Sequence, residues 1–182
     1  MAVNILEATA VDWLEGETQH VFNGIAGLLL IASLPHGWRA TRFTTHKPQD
    51  LQCRTNRSWI VGYTLWNWAF VVLNYPAYTG YHTAVLLAAL IVGWREPQRW
   101  LQTRAATLGV ILFGLVTWNS ELVAWFDTTH WADARVTNAA AAVACVYMAS
   151  HVATMWFGRF IKSATPRNSI VGSQAVSSNV KA

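Results

Sequence analysis

The run SWIVGYTLWNWAFVVLNY at residues 58–75 restricts this chain more than any other stretch. It is apolar enough to cross a bilayer, yet Tyr63, Trp66, Asn67, Phe70 and Asn74 recur at spacings of three and four. On a helix these five form one stripe, while Ile60, Val61, Leu65, Val72 and Leu73 cover the remaining surface. Arg57 marks one water boundary, and Asn67 lies roughly 15 Å further along the helical rise, near mid-bilayer. A carboxamide at that depth is costly against lipid, so it is expected to face other helices or a ligand. The stretch predicts one member of a multi-span helical bundle.

Four further apolar stretches complete an expected set of five spans. The first runs from about Gln19 to His36, where Pro35, His36 and Gly37 end it. Its residues Asn23, Gly24 and Gly27 share a side with His20, and the two glycines predict close helix packing there. After the striped helix, the short uncharged turn NYPAYTG (residues 74–80) implies an antiparallel third span, about Tyr81 to Trp94. A fourth is expected at about Ala105 to Trp125 and a fifth at about Thr137 to Phe157. Residues 1–17 are too charged to span and are read as an acidic interfacial segment. The bundle proper then covers residues 18–162, and residues 163–182 lack periodicity and read as a disordered tail on the cytoplasmic side.

Charge sets the expected orientation. Arg39, Arg42, Lys47, Arg54 and Arg57 crowd one connection, and Arg95, Arg99 and Arg104 another. Arg159, Lys162 and Arg167 follow the last span, so all three basic regions fall on one side. The acidic amino end, the 74–80 turn and the 127–135 loop fall on the other. The positive-inside rule therefore predicts an amino terminus outside and a carboxyl terminus inside.

Composition agrees, with 53% hydrophobic residues, only 12% charged and 11 tryptophans. Ordinary globular domains carry about twice that share of charge, and Trp gathers at membrane interfaces. The net charge of +4 marks one membrane face rather than nucleic-acid binding, since no nucleic-acid motif accompanies it. Cys53 and Cys145 lie in a loop and an apolar segment and are not expected to pair. No P-loop, GxSxG, HExxH or zinc-type Cys/His spacing occurs, so no metal site is predicted, and the sequence leaves any cofactor unknown. Residues 1–18 also lack the basic and apolar regions of a cleavable signal peptide.

The stretches NILEA (4–8), FNGIAG (22–27), WIVGYTLWNWAFV (59–71) and RWLQTRAATL (99–108) resemble, in order and spacing, an uncharacterised bacterial family of multi-pass membrane proteins, a domain of unknown function. The resemblance covers about residues 4–126. It implies an inner-membrane helical bundle and carries no activity. Members of that family usually have further spans ahead of the NILEA stretch, so the resemblance also implies a match to the carboxyl-terminal part of a longer protein.

Several residues invite a functional reading. Tyr63, Trp66, Asn67 and Asn74 either lock neighbouring helices together or line a pocket for a small cation or polar solute. His151, about 12 Å in from Arg159, is either a neutral hydrogen-bonded histidine or a proton relay. Glu121 is either an interfacial carboxylate or the mouth of a pathway, and Arg104 is expected to anchor its helix to lipid headgroups. The leading functional expectation is a small-solute or ion binding and transport module. Five spans without an internal repeat imply a homo-oligomer for that role. The alternatives are a non-catalytic accessory subunit beside a partner membrane subunit and, with less behind it, a membrane-embedded enzyme.

Overall fold

The structure, a computed structural model, describes residues 1–34, 41–43 and 51–164. Helices account for nearly all of them. Helix α1 (Ala2–Glu15) is closed by Gly16, whose φ of 71° only glycine adopts readily. Helix α2 follows at Thr18–Ala32; its expected end at Pro35–Gly37 lies outside the described residues. Two three-residue strands, β1 (Thr41–Phe43) and β2 (Leu51–Cys53), then pair antiparallel within the basic connection. Sequence reading gives only a loop there, since strands so short carry no usable alternation.

Helix α3 (Arg57–Asn74) contains the striped run. Its N-cap Asn56 accepts a hydrogen bond from the Trp59 amide at 2.7 Å. Pro76 and Pro97 start the single 3-10 turns that separate α3 from α4 (Thr79–Arg95) and α4 from α5 (Trp100–Phe126). Helix α6 (Ala134–Ala164) is the last described element, and the expected tail lies almost wholly outside the described residues.

Among the described residues three helical stretches are long and apolar enough to cross a membrane, Pro76–Arg95, Pro97–Phe126 and Ala134–Gly158. Helix α2 is apolar but shorter, and α3 carries the polar stripe. These two form the heart of the bundle. Helix α3 packs on α2, α4 and α6, while α1 lies along α2 and α5 runs chiefly along α4. The core joins Trp59, Ile60 and Trp66 of α3 to Leu30 of α2, Leu86 of α4 and Met148 of α6. Ile5 of α1 and Trp100 of α5 complete it.

Two ends of the bundle are defined by cross-connections. At one, the Thr55 hydroxyl donates to the Pro97 carbonyl at 3.2 Å and Arg57 Nε donates to the Trp94 carbonyl at 2.7 Å. This end carries Arg54, Arg57, Arg95 and Arg99. At the other, the Thr128 hydroxyl donates to the Pro76 carbonyl and accepts from the Gly80 amide, both at 2.9 Å.

Helix α5 departs from a single straight span. Trp118 leaves helical geometry (φ −135°, ψ 44°), and the Leu122 side chain comes within 3.2 Å of where a Gly114 Cβ would stand. The helix therefore runs about 27 Å to Thr117 before it bends back. No Pro or Gly flanks the break. The Thr117 hydroxyl donates to the Phe113 carbonyl at 2.8 Å, a local bond of the kind that bends helices.

Candidate functional site

The polar groups of the bundle gather in two places. The first is organised by Asp12, which is 0% exposed. Ile5, Thr9 and Asp12 lie at spacings of four and three, so they share the buried face of α1. That face meets α2 where glycines allow it. A Cβ on Gly24 would stand 2.3 Å from Trp13 Cδ1, and one on Gly27 would stand 2.2 Å from Thr9 Oγ1 and 2.9 Å from Trp66 Nε1. The carboxylate is thereby carried to α2 and α3. Asp12 Oδ2 accepts from Asn23 Nδ2 at 2.7 Å, and Oδ1 accepts from Asn74 Nδ2 at 2.9 Å. His20 Nδ1 lies 3.0 Å from Oδ1 and bonds the carboxylate when that nitrogen carries its proton. Burial raises the Asp12 pKa above its ordinary value, against the bonds from Asn74, Asn23 and His20 that favour the ionised form.

The second gathering joins α3, α4 and α5. Asn67 Oδ1 lies 2.6 Å from His82 Nε2. The Arg104 guanidinium faces the Tyr63 hydroxyl and lies within electrostatic range of His82. Arg104 is only 7% exposed, and its Nε and Nη1 have no hydrogen-bond partner. The expected headgroup anchor is therefore folded inward. Trp100 and Arg104, one turn apart, are the residues of α5 that enter the core, and that spacing is the signal that could have exposed the inward face. Tyr63 is held between rings: it stacks on Trp59 at 5.5 Å and meets Trp100 edge-on at 4.9 Å.

The candidate residues thus divide. Tyr63 and Asn67 belong to the second cluster, Asn23 and Asn74 to the first, and Trp66 lies between them with Phe70 stacked at 6.2 Å. Glu121 belongs to neither; it is exposed beyond the α5 break and accepts from the Ser120 hydroxyl at 2.9 Å. His151 is half-buried on α6, and its Nε2 has no hydrogen-bond partner. Sequence reasoning missed Asp12 and His82 because their partners Asn74 and Asn67 lie on another helix. No group of three or more His, Cys, Asp or Glu suited to a metal occurs among the described residues. A cleft of about 610 Å³ opens at the basic end, lined by Gln52, Arg54, Asn56, Arg57 and Gln98 among others.

These features define an all-α protein with apolar helices compatible with a membrane and buried polar contacts between them. The chain belongs to the family described as "Family of unknown function (DUF5692)", which matches residues 1–171. No curated protein and no solved structure matches it.

Proposed function

We propose that this chain is an inner-membrane protein of bacterial type with five spans, its amino end outside and its carboxyl end inside, that binds a small solute or ion within the bundle as a homo-oligomer. The observation that carries the binding reading is the meeting of Asn67 with His82, and of Tyr63 with Arg104, on three different helices in a largely apolar interior. Polar and ionisable groups at such depth are expensive and mark ligand or ion pathways by default. The grouping of Arg54, Arg57, Arg95 and Arg99 at one end supports the inward assignment of that end.

The test is solute-induced stabilisation of the purified protein, compared with Asn67→Leu. A binding module predicts a folded variant that no longer responds to the solute. Unchanged binding in the variant removes Asn67 from the site.

A second reading, an accessory subunit of a larger membrane complex, draws on α5. Beyond Arg104 this helix buries none of its residues, with Val110 73% and Val116 88% exposed. Gentle purification from native membranes separates the two readings. A stoichiometric membrane partner favours the subunit, and a self-oligomer favours the binding module.

A further inference from the structure

We infer that Arg104 is the seat of a small-oxyanion site, so that the solute of the proposed binding module is an anion bearing a carboxylate or phosphate group. This inference rests on that reading of the bundle and names its substrate class. Arginine does not lose its proton in proteins, so the group at position 104 is a permanent cation. It is more than nine-tenths buried, and neither Nε nor Nη1 has a partner. Its neighbours Tyr63 and His82 supply a hydroxyl and an imidazole, neither of which is an anion in its ordinary state.

No carboxylate among the described residues balances the charge. The ion pairs found there are His20 with Asp12 and Arg99 with Glu96. Asp12, the one fully buried acid among the described residues, is occupied by Asn74, Asn23 and His20. A desolvated cation with two idle donors is the arrangement that charge-assisted bonds to an oxyanion complete, and guanidinium geometry suits carboxylate and phosphate above other partners.

The surroundings limit the size of the ion. Both idle nitrogens are closed off, and Trp100 packs beside Tyr63 and Trp59 at ring separations of 4.9 and 5.5 Å. Entry therefore requires the groups that cover these nitrogens to move aside. A carboxylate of formate size fits these terms, and so does a phosphate group reaching in from a lipid of the nearby leaflet. Arg104 lies about 6 Å along α5 from its start, within reach of either source.

The experiment uses the full chain in neutral detergent, with thermal unfolding followed as sodium formate or sodium phosphate replaces sodium gluconate at constant ionic strength. A saturable rise in Tm of about 4 °C is expected, with no rise in Arg104→Gln and a retained rise in Arg99→Gln. Nanodiscs of phosphatidylcholine with and without phosphatidylglycerol form the second arm. A rise confined to phosphatidylglycerol, and absent in Arg104→Gln, identifies the anion as a lipid headgroup. Should Arg104→Gln not fold, Arg104→Lys takes its place; it keeps the charge and loses the fork, so a weakened response supports the site. A wild-type Tm indifferent to formate, phosphate and phosphatidylglycerol overturns the inference. If neutral or cationic solutes raise it instead, the anion assignment falls while the binding module stands; if nothing does, both fall.

Discussion

Asn74 and Asp12, 62 residues apart in the chain, meet at 2.9 Å, and through that bond the first helix is fastened to the central one. The same carboxylate holds Asn23 and contacts His20, so one acid serves three donors on two helices. Replacing it with an apolar residue removes this acceptor from all three, and among the described residues only the Asn74 amide keeps a further bond, to the Phe70 carbonyl at 3.0 Å. Asp12→Leu is expected to lower unfolding stability by about 2–4 kcal/mol, since each buried donor left unpaired costs roughly 1–3 kcal/mol. Adding Asn74→Leu should cost less than its effect in the wild type, because its partner is already gone. Thermal unfolding of the four proteins of this cycle measures it, and strict additivity would mean the bond contributes nothing.

The same residue gives a pH dependence with a definite sign. Burial raises the folded-state pKa of Asp12 above its ordinary 3.8, so the native state holds the proton more tightly than the unfolded chain. The stabilisation is full below that ordinary value and is lost as pH rises through the folded pKa. Wild type should therefore lose stability relative to Asp12→Asn as pH climbs from near 3.8. Exposed Asp127 has its pKa lowered by bonds from Thr129 and works in the opposite direction. The difference between wild type and Asp12→Asn cancels that contribution. A difference that is flat across the acid range would refute the assignment.

Close approach of α1 to α2 predicts a contrast between two glycines. A Cβ at Gly27 meets Thr9 Oγ1 and the fully buried indole of Trp66, neither free to retreat. At Gly62 the obstacle is chiefly the Met148 sulfur at 2.2 Å, part of a flexible side chain. Gly27→Ala should cost about 1–3 kcal/mol, as overpacking does, and Gly62→Ala less. Gly109→Ala, with nothing within 4 Å, serves as the reference. Unfolding midpoints of the three variants rank them, and an innocuous Gly27→Ala would mean that the two helices are not in contact there.

Asn67 and His82 are expected to be coupled. Polar pairs between membrane helices average about 0.6 kcal/mol in double-mutant cycles and reach about 1.7. The 2.6 Å contact belongs toward the upper part of that range. Asn67→Leu, His82→Leu and the double variant supply the cycle by reversible unfolding in mixed micelles.

Helix α5 offers a test of its surroundings. Val110 and Val116 are 73% and 88% exposed, as lipid-facing residues should be. Val110→Arg should impair membrane insertion by about 2.5–3.5 kcal/mol on translocon scales, whereas Arg99→Ala at the helix start should not. Glycosylation-mapped insertion of the isolated helical segment reads this directly. Full insertion of Val110→Arg would argue that the exposed face of α5 meets water.

Local chemistry made the helices legible. Pro76, Pro97 and Gly16 punctuate the chain where backbone geometry demands it, and apolar length separates α4, α5 and α6 as membrane candidates. The polar stripe of α3 was legible as a stripe, but not its partners. Asn74 turns to an acid near the amino end and Asn67 to a histidine on α4, and no short-range pattern pairs residues so distant. Arg104 was hidden by a general expectation, since basic residues at helix ends usually reach headgroups. The bend at Trp118 has no Pro or Gly to announce it.

The position of α6 has a consequence for how the protein comes into being. Its Met148 enters the socket that Gly62 leaves on α3, and its Tyr147 hydroxyl donates to the Ser58 carbonyl 89 residues earlier. The helix also packs along α2. During synthesis, therefore, α2 and α3 lack this partner until residues 134–164 have been made. The two central helices thus depend for part of their packing on a segment synthesised after α4 and α5.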